Sequence, residues 1–153
     1  MVYKVFHSLA VLFGLMLLPQ TKDTFARAII VLQIASIGSA LLGYFVSLAM
    51  ILFAISTLLI VLYAFIRMKH NAQRTVVLLI AVPDLFVLAY AMNHWPGARL
   101  FALLMVIPIF AYAFGVLRNW AAYKNEVGFL TILFFSSLST LVHTVGEIIS
   151  SPE

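Results

Sequence analysis

Long apolar runs, separated by short polar stretches, dominate the chain. The longest run lies between Arg27 and Arg67, where 39 consecutive residues carry no charged side chain. An α-helix rises about 1.5 Å per residue and the hydrocarbon core of a bilayer is about 30 Å thick, so about 20 residues cross it once. This run therefore predicts two membrane-spanning helices rather than one.

The other apolar runs extend this pattern to six predicted spans, which cover residues 3–19, 24–43, 45–68, 75–92, 99–117 and 128–149. Only Gly43 and Tyr44 separate the second span from the third, and glycine adopts the backbone conformation that a tight reversal needs. A segment near Gly43 that entered the membrane without crossing it would leave five spans, but 39 residues fit two crossings. No linker or low-complexity stretch divides the chain. We predict an all-α, polytopic transmembrane helix bundle of about six spans, forming a single domain over residues 1–153.

Composition supports a membrane protein and excludes several kinds of site. Of the 153 residues, 65% are hydrophobic and 9% are charged, whereas a soluble domain is about a quarter charged. The chain has no cysteine, which excludes disulfides, thiolate metal sites and cysteine nucleophiles. Nine basic residues exceed five acidic ones, but they form no basic patch beside an aromatic platform. We therefore expect no nucleic-acid partner.

The basic residues lie mostly on one side of the six-span arrangement. Lys4 and Arg99 fall on one side, and seven fall on the other: Lys22, Arg27, Arg67, Lys69, Arg74, Arg118 and Lys124. Short cytoplasmic connections carry an excess of lysine and arginine, so both termini are predicted to lie outside the cytoplasm. No small-residue cleavage site follows Pro19, so the first run is interpreted as a retained helix rather than a signal peptide. The expected location is a bacterial-type inner (plasma) membrane.

Asp84 is the most informative single residue, because it lies near the middle of the fourth predicted span. A charged side chain at the centre of a bilayer costs about 2.5–3.5 kcal/mol on insertion scales. Acids in this position usually carry protons, line a cavity or pair with another group. The alternative is a structural acid that hydrogen-bonds to a neighbouring helix. Pro83 precedes Asp84, and Pro108 lies at a similar depth in the fifth span; both predict a local disturbance of helical hydrogen bonding.

The sixth predicted span carries polar residues at helical spacing, which form one stripe: Ser136, Ser139, Thr140, His143, Thr144 and Glu147. Polar groups in lipid need partners, so this stripe is predicted to face the inside of the bundle. The hydroxyls alone are typical of ordinary hydrogen bonding between helices. His143 and Glu147 are one turn apart and can touch, although Glu147 lies near the outer interface, where solvation is the alternative. Gln33 is predicted to hydrogen-bond between helices.

The positions of two histidines make a haem or metal site an alternative. His7 lies near the outer end of the first span and His143 in the outer half of the sixth. Imidazole binds both haem and metal ions, so these two residues are the candidate metal ligands. No fixed ligand spacing accompanies them. We therefore expect no cofactor, with haem or quinone as the exception.

Two main functional hypotheses follow, and a third, a membrane enzyme acting on lipid, would need a nucleophile or metal set that the sequence does not show. The first is transport, or assistance of transport, of a proton, ion or small solute through a polar seam formed by Asp84 and the sixth helix, with Asp84, His143, Glu147 and His7 as binding or proton-carrying candidates. The second is a non-catalytic membrane subunit of a larger respiratory-type complex. No nucleotide-binding loop, catalytic triad or hydrolase-type carboxylate pair is recognisable, so the sequence does not favour an enzyme. The expected partners are the lipid bilayer and other membrane subunits or further copies of this chain.

Overall fold

The structure is a computed structural model, and it describes residues 2–43, 46–93 and 101–150. Within these ranges the backbone is almost entirely helical and contains no β-strand. Six helical segments pack side by side: α1 (Val2–Leu17), α2 (Thr24–Leu41), α3 (Val46–Arg67), α4 (Asn71–Met92), α5 (Leu103–Val116) and α6 (Val127–Ser150). The predicted all-α bundle is confirmed.

Five of these segments, all except α5, are long and apolar enough to cross a membrane, judged by length and composition. This is compatible with an integral membrane protein. The segment α5 is shorter and irregular, because a 3-10 turn (Leu103–Met105) precedes its α-helical part (Val106–Ala111) and a π turn (Tyr112–Val116) follows it. Pro108 lies in the middle of α5, where its missing N–H removes a helical hydrogen bond. By contrast, α4 is continuous through Pro83.

Local sequence explains where several helices begin and end. The carboxylate of Asp23 accepts hydrogen bonds from the backbone N–H groups of Phe25 (2.8 Å) and Ala26 (3.1 Å), which caps the start of α2. After α2, Gly43 adopts a φ of 75°, a left-handed conformation that favours glycine. The helix α4 begins at Asn71, four residues earlier than the predicted span. Tyr44, Arg99 and the predicted start of the fifth span at residue 99 lie outside the described residues.

Three connections meet at one end of the bundle. The backbone N–H of Lys22, before α2, donates to Oδ1 of Asn125, before α6, at 3.2 Å. The side-chain amide of Gln73, in the first turn of α4, donates to the carbonyl oxygen of Ala122 at 3.3 Å. These contacts agree with helices that alternate in direction. We call this the basic end, because the seven clustered basic residues of the sequence fall in these connections or in the adjoining helix turns.

The helix α6 occupies the centre of the bundle, because it contacts α1, α2, α4 and α5. Its first two turns, from Val127 to Leu133, are buried on every side. It runs antiparallel to α1. A methyl group placed on Gly128 would lie 3.6 Å from Cβ of Leu17, and further along the pair Ser139 lies beside His7.

Candidate functional site

The carboxyl group of Asp84 lies between α4 and α6. Its side chain is 6% exposed, and its two oxygens lie 3.0 and 3.2 Å from the hydroxyl oxygen of Ser137. Among the described residues, no lysine or arginine forms an ion pair with this carboxyl group, and Ser137 supplies the hydrogen bond that it receives. Asp84 is therefore a buried acid with no countercharge in the part of the chain that the structure describes.

The position of Ser137 suits both protonation states of Asp84. Its hydroxyl oxygen also lies 2.9 Å from the carbonyl oxygen of Leu133, but a hydroxyl group has a single hydrogen to donate. When the carboxyl is protonated, it can donate to Ser137, which in turn donates to Leu133. When the carboxyl is ionised, the hydroxyl can turn its hydrogen toward it. The Ser137 hydroxyl can therefore hydrogen-bond to Asp84 whether or not the carboxyl group carries a proton.

Asp84 lines a cavity of about 270 Å³ to which all six helical segments contribute. The lining residues of α1 to α5 come from the half of each helix that lies away from the basic end, and those of α6 come from its middle. Of the α4 residues that line the cavity, Asp84 lies nearest the basic end, and Ala91, about two turns further on, lies nearest the other end of the bundle. The carboxyl group therefore lies at the inner limit of the α4 wall.

The walls of the cavity are mixed in chemistry. Besides Asp84, the polar side chains on the walls are His7, Ser36, Ser136 and Thr140. Much of the remaining surface is apolar and includes Ile37, Met50, Phe53, Val87, Leu88 and Met105. Concave sites with apolar walls and a few polar groups are the usual form of small-ligand sites in proteins.

His7 is brought to this cavity by α1. Its Nδ1 atom lies 2.8 Å from the carbonyl oxygen of Tyr3, one turn earlier. A carbonyl oxygen only accepts hydrogen bonds, so Nδ1 carries the hydrogen in this contact and Nε2 of the neutral ring is left as an acceptor. The hydroxyl oxygen of Ser139 lies 3.3 Å from the same Nδ1. Among the sequence candidates, the structure thus brings His7 and Asp84 to one cavity.

His143 and Glu147 form a separate pair. Nδ1 of His143 lies 3.7 Å from Oε1 of Glu147, and the two side chains are 60% and 40% exposed. Neither residue lines the cavity. The inward orientation predicted for the whole polar stripe holds for Ser136, Ser139 and Thr144, which are buried, but not for His143. The reason is the orientation of α6, because at this level its inward face passes through Thr144, which is buried, while Val142 and His143 beside it are exposed.

Gln33 lies close to the cavity, but its side chain does not make the hydrogen bond that was predicted for it. Its side chain is fully buried, and among the described residues neither the amide nitrogen nor the amide oxygen has a hydrogen-bond partner. The predicted interhelical hydrogen bond is therefore wrong. Gln33 shares a helical face with Ser36 and Ile37, which line the cavity one turn further from the basic end.

A second buried acid, Glu126, was not a candidate from the sequence. Its side chain is 8% exposed, and the phenol group of Tyr63 donates a hydrogen bond to Oε1 at 3.0 Å. Burial raises the pKa of Glu126 above its ordinary value, while the hydrogen bond from Tyr63 acts in the opposite direction. The ring of Tyr63 lies between those of Phe25 (5.9 Å between centroids) and Phe129 (5.6 Å). Glu126 thus joins α3 to the start of α6.

Neither Glu126 nor Ser137 carried a signal that would have selected it. Glu126 follows Lys124 and Asn125 in a polar connection, where an acid is normally solvated. Ser137 is adjacent to Ser136, and the helical spacing of the stripe favoured Ser136. Within the described residues, no group of three or more histidine, cysteine or acidic side chains is placed to hold a metal ion.

Comparison with known proteins gives no match to any family model, curated protein or solved structure.

Proposed function

We propose that this chain is a small integral membrane protein that transports, or assists the transport of, a proton, ion or small solute, and that the cargo binds in the cavity beside Asp84. The observation that carries the proposal is a buried carboxyl group without a countercharge on the wall of a cavity of about 270 Å³. A structural acid would be expected to be fully enclosed by partners. Asp84 instead has one hydroxyl donor among the described residues and borders open space.

The proposed mechanism uses the protonation of Asp84. The carboxyl group exchanges a proton or cation with the cavity, while Ser137 hydrogen-bonds to it in either state. His7, on the α1 wall of the same cavity, keeps Nε2 as an acceptor nitrogen when Nδ1 of the neutral ring donates to Tyr3. Intramembrane acids that face cavities commonly serve such roles in pumps and transporters.

The proposed orientation places the basic end in the cytoplasm of a bacterial-type cell, because positively charged connections are retained there. Both termini then lie outside the cytoplasm, and the cavity lies in the outer half of the bundle. Reporter fusions after Glu153 and in the connection from Met68 to His70 are expected to report opposite sides. A cytoplasmic reporter signal at Glu153 would contradict this orientation.

The functional test is flux in proteoliposomes, measured with a trapped pH-sensitive dye and with sodium and potassium gradients. Asp84→Asn keeps the size and hydrogen bonding of the side chain but removes its titratable proton. We expect it to lower coupled flux by at least about tenfold, equivalent to about 1.4 kcal/mol. Glu126→Gln is the matched control, because it removes another buried acid that does not line the cavity.

The same two variants, Asp84→Asn and Glu126→Gln, distinguish transport from the membrane-subunit hypothesis. Full flux in Asp84→Asn, or an equal loss in Glu126→Gln, would contradict a cargo site at Asp84. The membrane-subunit hypothesis would then take its place, and an absorption spectrum of the purified protein would test it, since bound haem gives an intense Soret band.

A further inference from the structure

The cavity is asymmetric in charge. Of the described residues that line it, Asp84 is the one acid, and the lining contains neither lysine nor arginine. An ionised carboxyl group removed from water is costly unless an opposite charge or several hydrogen bonds accompany it. A bound cation would provide that charge, a neutral solute would not, and an anion would be repelled.

The walls favour an organic cation over a bare metal ion. Metal ions such as calcium need six to eight oxygen ligands, roughly, and the cavity offers few. The side-chain oxygens on its walls are the two of Asp84 and the hydroxyls of Ser36, Ser136 and Thr140. The ring of Phe53 and the thioether of Met50, which also line the cavity, instead suit the apolar body of an organic ammonium ion.

The volume limits the size of such a ligand. An engineered cavity of about 150 Å³ holds one benzene molecule, which has six non-hydrogen atoms. By proportion, the cavity volume of about 270 Å³ holds about ten such atoms. This lies just below the usual range for drug-sized ligands, about 300–1,000 Å³.

We infer that the cavity binds a small organic monocation of about ten non-hydrogen atoms or fewer, with its ammonium group beside the Asp84 carboxylate and its apolar body against Phe53 and the aliphatic walls. This inference rests on the proposed function, because it names the class of cargo for the same site. Ser137 orients the carboxylate toward the ammonium group.

Equilibrium binding tests the inference without requiring transport. The protein is placed in nanodiscs of zwitterionic lipid and titrated calorimetrically with benzylammonium, and empty nanodiscs correct for partition into lipid. Benzyl alcohol and benzoate serve as neutral and anionic probes of similar size. We expect saturable binding of benzylammonium that is at least about tenfold tighter than that of benzyl alcohol, and no saturable binding of benzoate.

Two variants and one control locate the site. Asp84→Asn removes the charge and is expected to weaken benzylammonium binding to the level of benzyl alcohol. Ala40→Leu keeps the charge but fills part of the cavity, so it is expected to weaken both probes, and it keeps the test decisive if Asp84→Asn does not fold. Glu126→Gln removes an acid outside the cavity and should bind benzylammonium as the wild-type protein does.

The possible results are distinguishable. Equal binding of the alcohol and the ammonium ion, no saturable binding of benzylammonium, or unchanged binding in Asp84→Asn would each overturn the inference. Proton flux that depends on Asp84 without ammonium binding would overturn the inference but leave the proposed function intact. Ammonium binding that depends on Asp84 without any flux would support the inference and contradict transport.

Discussion

The two halves of the bundle differ in how closely their helices approach. In the half near the basic end, a methyl group added to Gly14, Gly115 or Gly128 would lie 2.8, 2.6 or 2.5 Å from a neighbouring side chain. In the other half, nothing lies within 4 Å of a methyl group added to Gly38 of α2. Among the described residues, the first half is closed by contacts through glycine, and the second contains the cavity beside Asp84.

Each half also contains one buried acid, and the two acids have different surroundings. Glu126 accepts a hydrogen bond from Tyr63 and is enclosed between α3 and α6. Asp84 accepts a hydrogen bond from Ser137 and borders the cavity. Burial alone therefore does not separate a structural acid from a functional candidate. Access to open space separates them, and the four predictions below test this distinction.

The largest effect on stability is expected from paired glycine substitutions. In Gly115→Ala, the new methyl group would meet both γ-carbons of Val76, at 2.6 and 3.0 Å. Valine is stiff at χ1, so the helices must separate, and overpacking of this kind costs about 1–3 kcal/mol. Gly38→Ala meets no atom and should stabilise the protein by up to about 1 kcal/mol through helix propensity.

Thermal unfolding in detergent micelles measures both glycine variants. If Gly115→Ala unfolded at the wild-type temperature or above it, the half near the basic end would not be closely packed. If Gly38→Ala were strongly destabilising, the other half would not be open.

The hydrogen bonds of the two acids provide the second test. Tyr63→Phe removes the phenol donor from Glu126 in a closed environment, which should cost about 1–3 kcal/mol. Ser137→Ala removes the donor from Asp84, but the cavity is large enough to admit water that replaces it, so the cost should be below about 1 kcal/mol. Denaturant titration of both variants gives the difference. A larger loss in Ser137→Ala would identify Asp84 as the more strongly structural acid.

The third prediction concerns Gln33, which lies between the closed half and the cavity. Its buried amide has no hydrogen-bond partner in the part of the chain that the structure describes, and an unsatisfied buried polar group costs about 1–3 kcal/mol. Gln33→Leu should therefore stabilise the protein by about 1 kcal/mol, as a rise in its unfolding temperature would show. Ile34→Leu, at the adjacent position of α2, is the control and should change the temperature little. A loss of stability in Gln33→Leu would mean that the amide has a structural role.

The fold was predictable because it depends on the local pattern of apolar and polar residues. Apolar runs of about 20 residues separated by polar connections require helices in a membrane, and five of the six segments have the expected length. The exception, α5, shows the limit of this reasoning. Its apolar run predicts one regular span, but its turns change from 3-10 to α to π around Pro108.

The candidate site was predictable only in part, because it depends on which helix faces meet. Asp84 could be selected since a charge in an apolar run is conspicuous, and it does lie on the cavity. The pairing of Asp84 with Ser137 depends on the rotation of α6 against α4, which spacing alone does not define. The exposure of His143 likewise depends on the rotation of α6, which turns Thr144 inward instead. Glu126 is buried by the ring of Tyr63, which lies 63 residues away in sequence.

The smallest expected effect is the pH dependence that Glu126 contributes to stability. Burial raises the pKa of Glu126 above its ordinary value of 4.5, so the folded chain holds this proton more tightly than the unfolded chain does. The stabilisation is therefore fully present below about pH 4.5 and is lost as the pH rises through the raised pKa of the folded state. The unfolding temperature should therefore fall as the pH rises through this window.

Glu126→Gln isolates this contribution, because it removes the titrating group and leaves Asp84 in place. The difference in unfolding temperature between the wild type and Glu126→Gln should therefore change with pH above 4.5. In Tyr63→Phe the window should move to higher pH, because the hydrogen bond that lowers the pKa of Glu126 is gone. Parallel pH curves for the wild type and Glu126→Gln would show that Glu126 keeps its ordinary pKa, and the enclosed character assigned to this acid would then be wrong.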